Sequence, residues 1–242
     1  MTARRFFVEG TKEIGSIVEI GGSDAHKIVR VLRLREGDEI EVIDSGATAF
    51  SASLENVGTV VRARLAGLVR GEPLRGPIAD VAQAVPKGRR MDYVIEKGTE
   101  LGAGAFLPFY CERSVRRGVG EQQVERWRRL ARGAAQQCGR RDVPDVAEPV
   151  RFDALLERFA AYDAVLFAWE LAAPGSLYER LGAALPTAGR ALVVVGPEGG
   201  FTHDEAESAR RAGAQTISLG RRVLRTDTAA IALLAVIGAF AS

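Results

Sequence analysis

The sequence predicts an α/β chain in two unequal parts, a small β-barrel followed by a larger domain built on a mainly parallel sheet. Three observations carry this reading. Short β-rich runs fill Arg4 to Leu68, a stretch crowded with glycine, proline and charge follows at Arg70–Pro77, and beyond it apolar runs alternate with helical patterns. At 242 residues the chain is long enough for two such domains.

In the first part, Ser16–Ile20 and Glu39–Ile43 read as strands, punctuated by Gly21-Gly22, Gly37-Asp38 and Ser45-Gly46. Between them Asp24 to Leu34 has the spacing of a short helix. It would place His26, Arg30 and Arg33 on one stripe and Ile28, Val31 and Leu32 on another. The segment R-G-E-P-L-R-G-P at 70–77 has the composition of a linker, which sets domains of 1–72 and 73–242. In the second part, Ile78–Val85, Ala105–Phe109, Ala164–Ala168 and Ala191–Val195 are predicted strands. Met91, Val94, Ile95, Gly98 and Leu101 fall at helical spacing, and Gln122–Cys138 is a second helix. The run from Ala229 to Ala241 is apolar for 13 residues, short of the roughly 20 that span a bilayer, and reads as a buried helix.

Composition excludes several classes. Cys111 and Cys138 are far apart, and His26 and His203 are the only histidines, so no zinc pattern exists. Free thiols and the lack of a signal-peptide core after the N-terminal basic residues suit a cytoplasmic protein. Net charge is only +2, yet residues 85–145 hold thirteen basic against eight acidic residues, a local excess that could follow a phosphate backbone. Charge alone equally describes a solvated helix face.

Two loops carry the chemistry. Arg190–Glu205 is a strand entering Gly196-Pro-Glu-Gly-Gly200 and then a helix, with Thr202 and Glu205 spaced as a capping box. Its glycines let backbone amides approach a ligand, and a helix N-terminus favours negative charge. Leu219–Ala229 ends a strand in a basic loop, where Thr226 or Asp227 could open the last helix. Both loops follow strands, so both can reach one crevice at the C-terminal ends of a parallel sheet. Either loop taken alone is an ordinary turn. Neither a G-x-G-x-x-G fingerprint nor a P-loop occurs.

Ordered matches run along the chain. They are Arg4-Arg-Phe-Phe7; His26, Val31-Leu-Arg33 and Gly37; Lys87 to Gly102, with Pro108 and Glu112-Arg-Ser114; Gln137–Arg140 with Pro144; Gly196–Phe201 with Glu205; and Leu219-Gly220 with Val223–Ala229. On these the chain resembles the ribosomal RNA small-subunit methyltransferase E family of the SPOUT superfamily. That resemblance implies a PUA-like RNA-binding barrel, a SPOUT domain with a trefoil knot, a homodimer, and methylation of a 16S ribosomal RNA uridine at N3 with S-adenosylmethionine and no metal. Two positions depart from the family pattern: Asp227 stands where glutamate is usual, and Gln136 where glutamate is common.

The cofactor contacts implied are Glu170, Leu171, Gly196, Pro197, Gly199, Gly200, Leu219, Gly220, Val223, Leu224 and Thr228. Methylating N3 requires loss of its weakly acidic proton, so anion stabilisation is the catalytic task. Arg225 is the candidate for it and Glu198 the candidate proton acceptor. A ring nitrogen needs no thiol nucleophile, so Cys138 reads as packing. Candidate RNA contacts are Arg4, Arg5, His26, Arg30, Arg33, Lys87, Arg89, Arg113 and Arg140, while Trp127 and Trp169 read as core. On the residues alone, a non-catalytic RNA-binding assembly factor and an enzyme of another nucleotide cofactor stay open.

Overall fold

The computed structural model describes residues 4–70, 77–115, 118–172, 182, 185 and 189–240. Most of the expected linker, 71–76, lies outside the described residues. The chain divides into two compact units, Met1–Pro73 with Ala135–Val143, and Leu74–Ala134 with Pro144–Ser242. A single cut in the sequence does not anticipate the return of 135–143 to the first unit.

In the first unit, β1 (Arg5–Phe7), β2 (Ile17–Ile20), β3 (Glu39–Ile43), β4 (Ala49–Asn56) and β5 (Val61–Leu68) form a sheet in the order β1-β3-β4-β5-β2. β1 pairs β3 in parallel and the other ladders are antiparallel. Along β5 the residues alternate between buried and exposed, so Val61, Ala63 and Leu65 enter a core with Phe6, Ile28 and Leu54. The expected helix over 24–34 is shorter and irregular. It runs as α1 (Gly22–His26), passes into a π-helical turn over Lys27–Val31, and ends with Arg33 at φ 53°. The wider turn breaks the predicted spacing. Ile28 is fully buried as expected, but Val31 is 65% exposed and leaves the apolar stripe.

Gln136 is buried in the first unit, and its amide donates to both carboxylate oxygens of Asp24 at 3.1 Å. A glutamate here would set two carboxylates against each other.

The second unit is a parallel sheet in the order β12-β10-β11-β6-β7-β8, with β9 paired to β7. Its strands are β6 (Ile78–Ala84), β7 (Ala105–Tyr110), β8 (Asp145–Val146), β9 (Val150–Arg151), β10 (Ala164–Ala168), β11 (Arg190–Val195) and β12 (Gln215–Ile217). The helices are α2 (Arg90–Glu100), α3 (Glu121–Cys138, of which Ala135–Cys138 belong to the first unit), α4 (Phe152–Leu156), α5 (His203–Arg211) and α6 (Thr226–Phe240). The central strands are buried on both faces, which is why they read as continuous apolar runs. One face packs on α2 and α6 through Val94, Ile95, Leu233 and Leu234, and the other on α4 and α5 through Leu155 and Ala206, with Phe201 of the preceding loop in the same cluster. Gly98 lets α2 approach the sheet, since a Cβ there would lie 2.8 Å from the Phe106 ring. Trp127 is buried and its indole donates to Asp92, which also pairs with Arg126. No helix among the described residues is long and apolar enough to cross a membrane.

Candidate functional site

β12, β10 and β11 are parallel neighbours in the sheet, so the loops that follow them leave the same end side by side. They enclose a cavity of about 490 Å³. Trp169 and Glu170 line it after β10, Gly196 to Phe201 after β11, and Ser218 to Thr226 after β12, with Arg90 and Ala229 completing the wall. The two loops singled out in the sequence thus converge.

Of the implied cofactor contacts, Glu170, Gly196, Pro197, Gly199, Gly200, Leu219, Gly220, Val223 and Leu224 line this cavity. Leu171 does not: it is 60% exposed. Thr228 does not either, because helical geometry turns it about 100° away from Ala229, and Thr226 and Ala229 hold the inward face instead.

The glycines are required first by their own surroundings. A Cβ at Gly196 would lie 2.9 Å from the Phe201 ring, one at Gly199 3.3 Å from the Arg113 side chain, and one at Gly200, where φ is 68°, would run into Glu170 Oε1. Gly199 is therefore not free space awaiting a ligand alone. Arg113 crosses behind it and donates to the Gly199 carbonyl at 3.0 Å and the Phe201 carbonyl at 3.4 Å. The next helix begins with the expected box: Thr202 Oγ1 accepts from Glu205 N at 3.2 Å, and Glu205 Oε2 from Thr202 N at 2.9 Å. Glu205 also accepts from Glu112 N at 2.8 Å, tying this turn to the end of β7.

Electrostatics sort the two candidate catalytic residues. Arg225 is exposed on the cavity wall, and its guanidinium makes no hydrogen bond or ion pair among the described residues. Glu198 is engaged. It accepts from Lys87 N at 3.0 Å and Arg90 Nη1 at 2.5 Å. Burial pushes its carboxyl upward, but hydrogen bonds from its own amide, Lys87 and Arg90, with the Arg90 charge, outweigh that and hold it below the usual carboxylate range.

The predicted RNA contacts separate as well. Arg4, His26, Arg30, Arg33 and Lys87 are exposed. Arg89 is exposed beside Asp92, at 3.1 Å. Arg5 is a correction: it faces Glu41 across the β1–β3 ladder in an ion pair at 2.5 Å, with only 11% of its side chain exposed. Arg140 is likewise drawn into an ion pair with Asp142 at 12% exposure. Arg113 braces the glycine loop as described.

Sequence reasoning missed Arg90, Arg221 and Arg222 on the wall, and took Thr226 only as a helix start. It also passed over Gln83, the amide in the apolar run of β6, which donates to Thr226 Oγ1 at 2.7 Å. A polar residue in a run otherwise buried on both faces was the available clue. Trp169 is buried as expected, its ring edge-on to His203 and covered by Arg210, although it also touches the cavity.

The model of the RNA methyltransferase domain matches residues 75–238, and that of the RNA methyltransferase PUA domain matches residues 20–59. The ribosomal RNA small subunit methyltransferase E of Bacillus subtilis is 36% identical over 97% of this chain and 95% of its own length. Among solved structures, the enzyme of the same name from Neisseria gonorrhoeae, bound to S-adenosyl methionine, superposes with a TM-score of 0.87 at 27% identity, covering 98% of this chain and 97% of its own. A Legionella pneumophila methyltransferase in complex with the cofactor SAM gives 0.88 at 28% identity, covering 99% and 98%. With the RNA methyltransferase match spanning most of the chain and full-length likeness to the Bacillus enzyme, the chain belongs to the ribosomal RNA small subunit methyltransferase E family.

Proposed function

We propose that this protein methylates N3 of a uridine in 16S ribosomal RNA, using S-adenosylmethionine held in the cavity between the loops after β10, β11 and β12. The observation that carries the proposal is the composition of that one cavity. Apolar Leu219, Val223, Leu224 and Ala229 suit an adenine ring, the Glu170 carboxylate suits a cationic group, and the exposed arginines 221, 222 and 225 suit anions. That donor set fits a zwitterionic nucleoside.

When bound, the cofactor supplies an electrophilic methyl group on a sulfonium that departs as a neutral thioether. The residues of the chain do the rest. As the N3–H bond breaks, its electron pair stays on N3 and forms the new N–C bond, while negative charge spreads onto the flanking uracil oxygens. Arg225, on the cavity wall, is the proposed donor for that charge, with a planar pair of N–H groups to offer. Glu198, the acceptor expected from the sequence, is held as a weak base by Lys87 and Arg90, which supports a part as anchor of the glycine loop. The proton then passes to solvent water. Exposed Arg4, His26, Arg30, Arg33, Lys87 and Arg89 are the proposed RNA contacts. Domains of 1–72 and 73–242 and a cytoplasmic location, expected from the sequence, and the knot and homodimer, implied by the resemblance, belong to this proposal.

The test is transfer of labelled methyl from S-adenosylmethionine to small ribosomal subunits by the purified protein. Label in N3-methyluridine supports the proposal, and cofactor binding without transfer to any RNA form would favour an assembly factor.

A further inference from the structure

β6 is apolar except for Asp80 and Gln83, both 0% exposed. Burying an amide costs free energy unless partners satisfy it. Gln83 Nε2 donates to the Ala84 carbonyl at 3.0 Å and to Thr226 Oγ1 at 2.7 Å, while its Oε1 is buried with no partner among the described residues. A carbonyl can only accept, so the bond to Ala84 fixes which end of the amide carries hydrogens. The Thr226 hydroxyl must therefore receive from Gln83. A hydroxyl has one proton of its own to give, and its remaining contact is the Gly196 carbonyl at 2.5 Å. The relay thus has one direction, from Gln83 through Thr226 to Gly196.

Its end points matter. Gly196 opens the glycine loop, lies against the Phe201 ring with no room for a Cβ, and is followed by Pro197, which has no amide hydrogen. Thr226 is the first residue of α6 and directly follows Arg225. One buried hydroxyl, 5% exposed, therefore joins the loop after β11 to the loop after β12. We infer that Gln83 and Thr226 are positioning residues that hold the two loops of the cavity in register, so that the cofactor meets a preformed site. This inference rests on the cofactor reading proposed above and adds Gln83, buried behind the cavity wall, and Thr226, which lines it, as residues that act through the loops they join.

The experiment is calorimetric titration of S-adenosylmethionine into the full chain, wild type beside Thr226→Val, Thr226→Ser and Gln83→Met, with thermal unfolding followed in parallel. Thr226→Val keeps the shape and removes the hydroxyl, and the expected result is an affinity weakened roughly tenfold or more. Thr226→Ser keeps the hydroxyl and restores wild-type affinity, which a role in packing alone would not allow. Gln83→Met weakens affinity in the same direction, and it carries the test should Thr226→Val fail to fold. Folded Thr226→Val or Gln83→Met with wild-type affinity, or Thr226→Ser as weak as valine, overturns the inference. A wild-type protein that does not bind at all sinks the cofactor reading instead.

Discussion

Arg225 is the residue on which the proposed chemistry turns. Its guanidinium stands exposed on the cavity wall, with no hydrogen bond or ion pair among the described residues. A donor already in place for a developing oxyanion typically contributes a hundredfold to a thousandfold, so Arg225→Ala should lower the single-turnover rate by roughly that factor at saturating cofactor. Calorimetry should find cofactor affinity unchanged, and Arg225→Lys should recover only part of the rate, since a point charge lacks the planar fork. Raising the pH should narrow the deficit as more uracil ionises unaided. Glu198 separates anchoring from proton transfer by the same assay. Its carboxyl lies below the usual range in the folded protein, so its contribution is complete at neutral pH and fades only as acid protonates the folded carboxyl. Glu198→Gln should therefore weaken cofactor binding while the pH profile of the chemical step keeps its shape. A lost limb in that profile would restore Glu198 as the acceptor. At this scale residue types were legible and distant partners were not: nothing near Arg5 in the chain announces Glu41, 36 positions away, whereas Asp142 stands two residues from Arg140 and was passed over.

Elements were read more surely where one periodicity dominates. The apolar strands and the capping box follow from patterns a buried parallel sheet imposes. The stretch at 24–34 misled because the chain takes a π turn there and a positive φ at Arg33, neither of which helical spacing can express. A cap gives a quantitative check. Thr202→Ala should destabilise the chain by about 1 kcal/mol in urea unfolding, and Glu205→Ala by more, because it also releases the Glu112 amide. The β3–β4 turn is a second case. Asp44 is buried and accepts from the amides of Lys12 at 3.0 Å, and of Gly46 and Thr48 at 2.9 Å each. Burial raises its carboxyl, but these amides outweigh burial and lower it. Its stabilising contribution is therefore present above the normal carboxylate range and lost as pH falls through the depressed value. Asp44→Ala should cost roughly 2 kcal/mol at pH 7 and less in acid, by the same unfolding measurement.

For the whole molecule, the site was legible as two loops following strands, because a parallel sheet brings its C-terminal ends to one side. Their union through Gln83 and Thr226 was not, since it joins residues 143 positions apart. RNA recognition is a whole-molecule property with its own test. Replacing Arg30 and Arg33 with alanine should flatten the plot of log affinity against log salt by roughly 0.7–0.9 per lost phosphate contact, with cofactor binding intact. An unchanged slope would make these arginines solvated surface. The most direct measurement of the central claim is mass mapping of methylated nucleosides in ribosomal RNA from cells with and without this protein. The account predicts that one N3-methyluridine in the small-subunit RNA disappears with the protein, returns with the wild-type chain, and stays absent with Arg225→Ala. An identical methylation map in both strains would contradict it.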